Sequence, residues 1–172
     1  MTPKTHGILL PMAVIMATIA CAAAAAPMTL DWIDLVPESE RAHYDPAPPP
    51  PAHDYLTGEA SGLAAMQVMN FGVNERLADQ EVRIPGFIVP LELDDAGKVT
   101  EFFLVPYFGA CIHVPPPPPN QMVYVVMDRG ISLESMYAAY WITGKMATKS
   151  RTTVLGAAAY LLAGTKAEEY KF

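Results

Sequence analysis

The sequence predicts a mainly β protein, a small five-stranded OB-like barrel with an extended N-terminal arm and one or two short helices. Residues 81–92 alternate polar and apolar side chains around Gly86, which permits a bent first strand that serves both sides of a barrel. An acidic, glycine-containing turn follows at residues 94–98. Later strand-like segments lie at residues 101–105, 122–127, 141–146 and, with alanines that also allow a helix, 159–170. A cystatin-like or sandwich arrangement of these strands stays open.

The first 26 residues have the pattern of a signal peptide. Lys4 precedes a short apolar run over residues 8–20, and five alanines follow at residues 22–26. The run is shorter than the roughly 20 apolar residues that span a bilayer, so we expect no transmembrane helix after signal removal. The alternatives are an uncleaved anchor and a lipoprotein attached to lipid through Cys21.

The mature chain is expected to divide into an acidic, proline-rich arm at residues 27–60 and a single β domain at residues 61–172. The arm holds seven acidic residues against one base, Arg41, and the whole chain has a net charge of −7. This charge excludes a nucleic-acid binder, which needs a basic face. Prolines at residues 46–51 favour an extended polyproline segment. We interpret the arm as a solvated tether; docking of its apolar residues 30–37 on the domain is the alternative. Residues 61–76 suit a short helix.

A cysteine and a histidine form the one chemically distinctive pair. In an extended stretch Cys111 and His113 point to the same face, and a thiolate and an imidazole are good ligands for zinc. Cys111 is the only cysteine left after signal removal, which rules out an intramolecular disulfide. We therefore predict a divalent-metal site at Cys111 and His113, with zinc as the favoured cofactor. Purely structural roles for both residues, or a nucleophilic thiol, are the alternatives.

A proline rod beside this pair suggests a surface for a partner protein. Five consecutive prolines span roughly 15 Å as a stiff polyproline helix. Aromatic side chains at positions 107, 108, 124, 140 and 141 could stack on the rod, or simply form core. The residues predicted to bind a partner are Trp32, Tyr107, Phe108, Pro115, Pro116, Pro117, Pro118, Pro119, Asn120 and Gln121.

Three segments, at residues 31–38, 82–92 and 103–121, closely resemble the DUF3299 family of exported Gram-negative bacterial proteins of unknown function. The most specific run is Gly109-Ala110-Cys111-Ile112-His113-Val114-Pro115, and residues 141–146 resemble a later strand of the family. The resemblance covers nearly the whole mature chain. It implies a periplasmic or lipid-anchored location and favours a metal-handling accessory of an ABC transporter.

These observations favour a binding or accessory protein over an enzyme. We expect an exported, periplasmic protein that handles a divalent metal through Cys111 and His113 and serves an ABC transporter or another envelope protein. The alternative is an envelope structural or interaction module in which both residues are purely structural. A thiol-dependent enzyme is the third hypothesis.

Overall fold

The structure, a computed structural model, describes residues 26–44, 67, 69, 71–111, 116–135 and 137–171. These residues form eight strands: β1 (Met28–Thr29), β2 (Glu81–Leu93), β3 (Val99–Val105), β4 (Val123–Ile131), β5 (Ala139–Ala147), β6 (Arg151–Thr153), β7 (Gly156–Ala158) and β8 (Tyr160–Glu169). Helical structure in this part of the chain is confined to 3-10 turns at Trp32–Leu35, Arg41–His43, Glu75–Leu77 and Pro119–Gln121. Among the described residues no helix has the length and apolar character needed to cross a membrane.

Five strands close into a barrel. β2 pairs antiparallel with both β3 and β5, and β3 pairs antiparallel with β4. β8 completes the barrel by lying parallel to β4 and antiparallel to β5. A closed order in which only the third and fifth barrel strands are parallel is the connectivity of an OB barrel. The predicted five-stranded OB-like barrel is therefore confirmed, and the segment that could have been a helix is strand β8.

β2 serves two neighbours because its two halves pair with different strands. Residues 81–87 pair with β5, and residues 87–93 pair with β3. Where the strand passes between them, a Cβ on Gly86 would lie 2.7 Å from the carbonyl oxygen of Val105 and 2.9 Å from Cγ of Leu104. Side-chain carbons essentially never approach other atoms so closely. Glycine is therefore the residue that fits this crossing.

Apolar side chains fill the barrel because inward and outward residues alternate along each strand. Phe102 and Leu104 of β3 point inward and are fully buried. They pack with side chains from every other barrel strand, including Val82, Ile84, Val123, Val125, Ile142, Met146, Tyr160 and Leu162. Burial stabilises a large apolar side chain by roughly 1.5–3 kcal/mol, so this interior is the main source of stability.

Residues 28–44 of the arm pack on the barrel. β1 lies parallel to β2, and the amide of Leu30 donates to the carbonyl of Arg83 at 2.8 Å. The Trp32 indole Nε1 donates to the carbonyl of Pro85 at 2.8 Å, and Leu35 is fully buried in the main core. The docked alternative thus describes this segment, and the solvated-tether interpretation does not hold for it.

Other features differ from the expectations or lie outside the described chain. Over the predicted helix at 61–76, the described residues 67, 69 and 71–76 contain only the start of the 3-10 turn at Glu75–Leu77. The β6–β7 hairpin was not predicted. The signal peptide, apart from Ala26, the lipid-anchor candidate Cys21 and residues 45–60 of the arm lie outside the described residues. The predicted domain boundaries stay predictions.

Candidate binding surface on the outer face of the barrel

A second apolar cluster lies on the outside of β2, β3 and β4. Its buried members include Val89, Phe103, Val105 and Tyr124, whose neighbours along each strand point into the barrel. In OB barrels the face of the second and third strands is the usual binding face, and here those strands are β3 and β4. This face is therefore the candidate binding surface of the barrel.

The chain itself covers much of this face. Tyr107, Ala110 and Cys111 of the loop after β3 pack against the cluster from one side, and Leu155 and Ala158 of the β6–β7 hairpin pack from the other. Since Phe103 and Val105 are fully buried, little of the usual OB binding face is left open at its centre. A ligand of this barrel would have to bind at the edge of the cover.

Cys111 is half-buried in the loop after β3, which packs over the second cluster, and its backbone is left-handed. Its φ of 66° is unusual for a non-glycine residue, and Gly109 two residues earlier has a φ of 85°. These angles fold the loop back onto the barrel. Burial raises the pKa of the Cys111 thiol to about 11, so the sulfur is protonated at neutral pH. Reactive cysteines have lowered pKa values, and this environment works against a thiolate nucleophile.

Of the predicted metal pair, Cys111 is in this loop and His113 lies outside the described residues. Within the described ranges, no three side chains of histidine, cysteine, aspartate or glutamate are grouped closely enough to hold a metal ion. A thiol with a raised pKa must also lose its proton before it binds zinc. The zinc site at Cys111 and His113 stays a prediction.

Three aromatic rings form an exposed patch at the edge of the cover. Phe108 from the loop after β3 lies 5.2 Å from Tyr137, which belongs to the β4–β5 connection, and 6.0 Å from Phe87 of β2. Phe108 is 40% exposed and Tyr137 is 75% exposed, while Phe87 is half-buried and anchors the group to the second cluster. We call these three residues the aromatic platform.

The proline rod is part of the packing rather than a free surface. Pro117 and Pro119 are buried, and Pro116 and Pro118 are half-buried. The carbonyl of Pro117 accepts a hydrogen bond from the Gln67 side chain at 2.6 Å, and the carbonyl of Pro119 accepts one from the amide of Ala159 at 2.8 Å. Pro115 lies outside the described residues.

Asn120 and Gln121 also contact their own chain. The Gln121 side chain donates to the carbonyl of Trp32 at 3.0 Å and accepts from the hydroxyl of Tyr44 at 2.8 Å. Asn120 donates to the carbonyl of Gly72 at 3.0 Å. Because Asn120 and Gln121 are only 6% and 3% exposed, they have little surface for another protein. Gln121 thus anchors the arm, and Asn120 anchors the segment that precedes β2.

Of the predicted aromatic surface, only Phe108 belongs to the platform, and Tyr107 packs against the second cluster. Tyr124 belongs to the covered cluster, Tyr140 belongs to the main core, and Trp141 lies under the guanidinium of Arg83 at 4.2 Å. Phe87 and Tyr137 were not among the residues predicted to bind a partner. An aromatic residue in a polar connection, as at Tyr137, is the one local signal that could have drawn attention to it.

A family model described as "Protein of unknown function (DUF3299)" matches residues 32–169. The chain belongs to the DUF3299 family. A crystal structure of a DUF3299 family protein from Pseudomonas aeruginosa PAO1 is 42% identical to this chain, with a TM-score of 0.72. The match covers 86% of this chain and 99% of that chain. No curated protein matches.

The DUF3299 match includes most of the docked part of the arm. It begins at Trp32, whose indole contacts the barrel, and ends within β8 at its last residue, Glu169. The family unit is therefore the barrel together with the arm that packs on it.

Proposed function

We propose that this DUF3299 protein is an exported accessory protein that binds another protein of the cell envelope through the aromatic platform. The observation that carries the proposal is the pair Phe108 and Tyr137, two large rings in contact and yet 40% and 75% exposed. Aromatic side chains are enriched at the energetic centres of protein interfaces, because they bury much surface for little entropy.

The position of the platform supports a binding role. Its rings come from β2 and from two different loops, and Phe87, which packs against the second cluster, contacts Phe108. A surface held in this way loses little conformational freedom when a partner binds. The ABC-transporter component implied by the family resemblance is one candidate for that partner.

The ionisable groups of the described residues support binding over catalysis. The Cys111 thiol is held protonated by burial. The lowered pKa of Asp79 comes from its hydrogen bond with Lys145, and that of Glu168 from its hydrogen bond with Lys166. These are exposed ion pairs rather than members of a shared pocket.

Site-specific photo-crosslinking in intact cells tests the proposal. A photoreactive amino acid at Tyr137 should give one crosslinked product, and Phe108→Ala in the same protein should reduce it at least tenfold. Leu93 is the control position, because it is 59% exposed and apolar but is the last residue of β2, six residues beyond Phe87. An equal product from Leu93, or a product that is insensitive to Phe108→Ala, would refute the proposal.

A further inference from the structure

Two aromatic rings outside the main core are stacked with an arginine of the same chain. The guanidinium carbon of Arg83 lies 4.2 Å from the centre of the Trp141 ring. The guanidinium carbon of Arg151 lies 5.2 Å from the centre of the Tyr124 ring. A cation within about 6 Å of a ring centre is attracted by the negative face of that ring. The outer surface of this barrel thus already pairs aromatic rings with guanidinium groups.

The aromatic platform lacks such a cation. In the part of the chain that the structure describes, no arginine or lysine lies over the ring of Phe108 or Tyr137. The two rings instead contact each other, and Phe108 also contacts Phe87. Because Tyr137 is 75% exposed, a cation from another molecule can reach its ring.

The charge carried by the platform segments is negative. The described segments that supply the rings are residues 84–91, 106–111 and 132–138. Their only charged residue is Glu134, which is exposed and lies three residues before Tyr137. The chain end beside β5 carries Glu169 and Lys171, whose charges offset each other. Since the whole chain has a net charge of −7, a cationic group is attracted both by the protein and by the platform segments.

The turn that presents Tyr137 is fixed to the main core. The amide of Tyr137 donates to the hydroxyl oxygen of Ser135 at 3.1 Å. The hydroxyl of Tyr140, a residue of the main core, donates to the carbonyl of Ser135 at 3.3 Å. A ring presented on a fixed turn loses little freedom when a ligand stacks on it.

We propose that the partner bound by the aromatic platform presents an arginine side chain to the rings of Phe108 and Tyr137. The inference rests on the proposed function and adds the chemistry of the partner's contact. A guanidinium is planar and weakly hydrated, so it stacks on an aromatic ring more readily than an ammonium does. Such a contact should strengthen binding about fivefold at an exposed site, and about thirtyfold where the partner excludes water.

Titration of the full-length mature protein with a synthetic peptide tests this chemistry. The peptide has one central arginine among glycine and serine residues. Its matched control has citrulline, which keeps the shape of the side chain but carries no charge. Nitrogen–proton NMR spectra should show shifts at the amides of Phe108 and Tyr137 with the arginine peptide. At equal concentrations below saturation, the citrulline peptide should give shifts about fivefold smaller.

Variants of the protein separate the aromatic rings from the apolar surface and from the carboxylate. Phe108→Leu combined with Tyr137→Leu keeps the surface apolar and should reduce binding of the arginine peptide about fivefold. Tyr137→Phe keeps the ring and should bind like the wild type. Glu134→Gln should reduce binding about twofold at low salt and less at high salt. Leu93→Ala should leave binding unchanged.

Three results would overturn the inference. The first is equal binding of the arginine and citrulline peptides. The second is unchanged arginine binding by the double leucine variant when its melting curve matches that of the wild type, which would place the arginine elsewhere on the acidic chain. The third is the absence of shifts at Phe108 and Tyr137.

Photo-crosslinking from Tyr137 in cells distinguishes this inference from the proposed function. A crosslinked product that persists although the arginine peptide does not bind would remove only the inference. Normal binding of the arginine peptide without any crosslinked product in cells would count against the proposed function alone.

Discussion

Replacing Gly86 with alanine should loosen the arm from the barrel. The new methyl carbon would lie 2.7 Å from the Val105 carbonyl oxygen and 2.9 Å from both Leu104 Cγ and Trp32 Cζ2. The first two atoms belong to β3 and its core side chain and have little room to move. Trp32 belongs to the arm and is half-buried against the main core, so it is the neighbour that can give way.

The size of this effect follows from the contacts. Overpacking a tight site costs about 1–3 kcal/mol, and loss of the hydrogen bond from Trp32 to Pro85 costs about 1 kcal/mol. Gly86→Ala should therefore lower the free energy of unfolding by about 2–4 kcal/mol. With a urea m-value of about 2 kcal/mol per molar, the unfolding midpoint should fall by roughly 1–2 M. Urea titrations of the mature protein, followed by far-UV circular dichroism, measure this change.

A double-mutant cycle with Trp32→Ala shows whether the clash with the Trp32 indole contributes to the stability that Gly86→Ala loses. Because Trp32→Ala removes one of the three clashing atoms, the two substitutions together should cost less than the sum of their separate effects, by about 0.5 kcal/mol or more. Strict additivity would refute the link between Gly86 and arm docking. A loss below about 0.5 kcal/mol for Gly86→Ala alone, the size of an ordinary surface substitution, would refute the packing argument.

Three further predictions concern buried groups and the metal hypothesis. Tyr160→Phe should lower the unfolding free energy by about 1–3 kcal/mol, because the Leu35 carbonyl loses its buried donor, while the exposed control Tyr137→Phe should change it by less than about 0.5 kcal/mol in the same urea titration. Because the pKa of Cys111 is raised from 9.0 to about 11, iodoacetamide should alkylate Cys111 about a hundredfold more slowly at pH 7 than it alkylates an ordinary thiol. The alkylation rate should still increase above pH 9. A rate that levels off near pH 9 would contradict this prediction. Zinc should raise the melting temperature of the mature protein, and Cys111→Ser combined with His113→Ala should abolish the gain. An unchanged melting curve on adding zinc would rule out the metal site.

The barrel strands could be predicted because the sequence signals that identify them lie within a few residues of one another. Alternating side chains in β2 and an acidic turn after it identify the first hairpin, and Gly86 identifies the bend. These signals depend on neighbours within a few residues. The strands alone left a sandwich or cystatin-like arrangement open; the structure closes them into a barrel through the parallel pair of β4 and β8, which leaves no barrel edge unpaired.

The arm and the site could not be predicted in the same way, because their contacts join distant parts of the chain. Gln121 bonds to Trp32 across 89 residues and to Tyr44 across 77 residues, and nothing near Gln121 in the sequence announces either partner. The platform has the same origin, since Phe87, Phe108 and Tyr137 come from three separate segments. The Cys-x-His motif was visible locally, but its local spacing did not reveal the burial that keeps the Cys111 thiol protonated.

The order in which the chain is made has a consequence for how the arm docks. Leu35 belongs to the first docked turn, yet the hydroxyl that donates to its carbonyl belongs to Tyr160, 125 residues later. A segment that leaves the ribosome or a translocation channel first therefore cannot complete its contacts until β8 has followed. Contacts between residues so far apart form slowly, because a long loop must close before they stabilise anything. Completion of the arm's docking at Leu35 is thus a late step of folding, and a chain that stops before β8 leaves the Leu35 carbonyl without this donor.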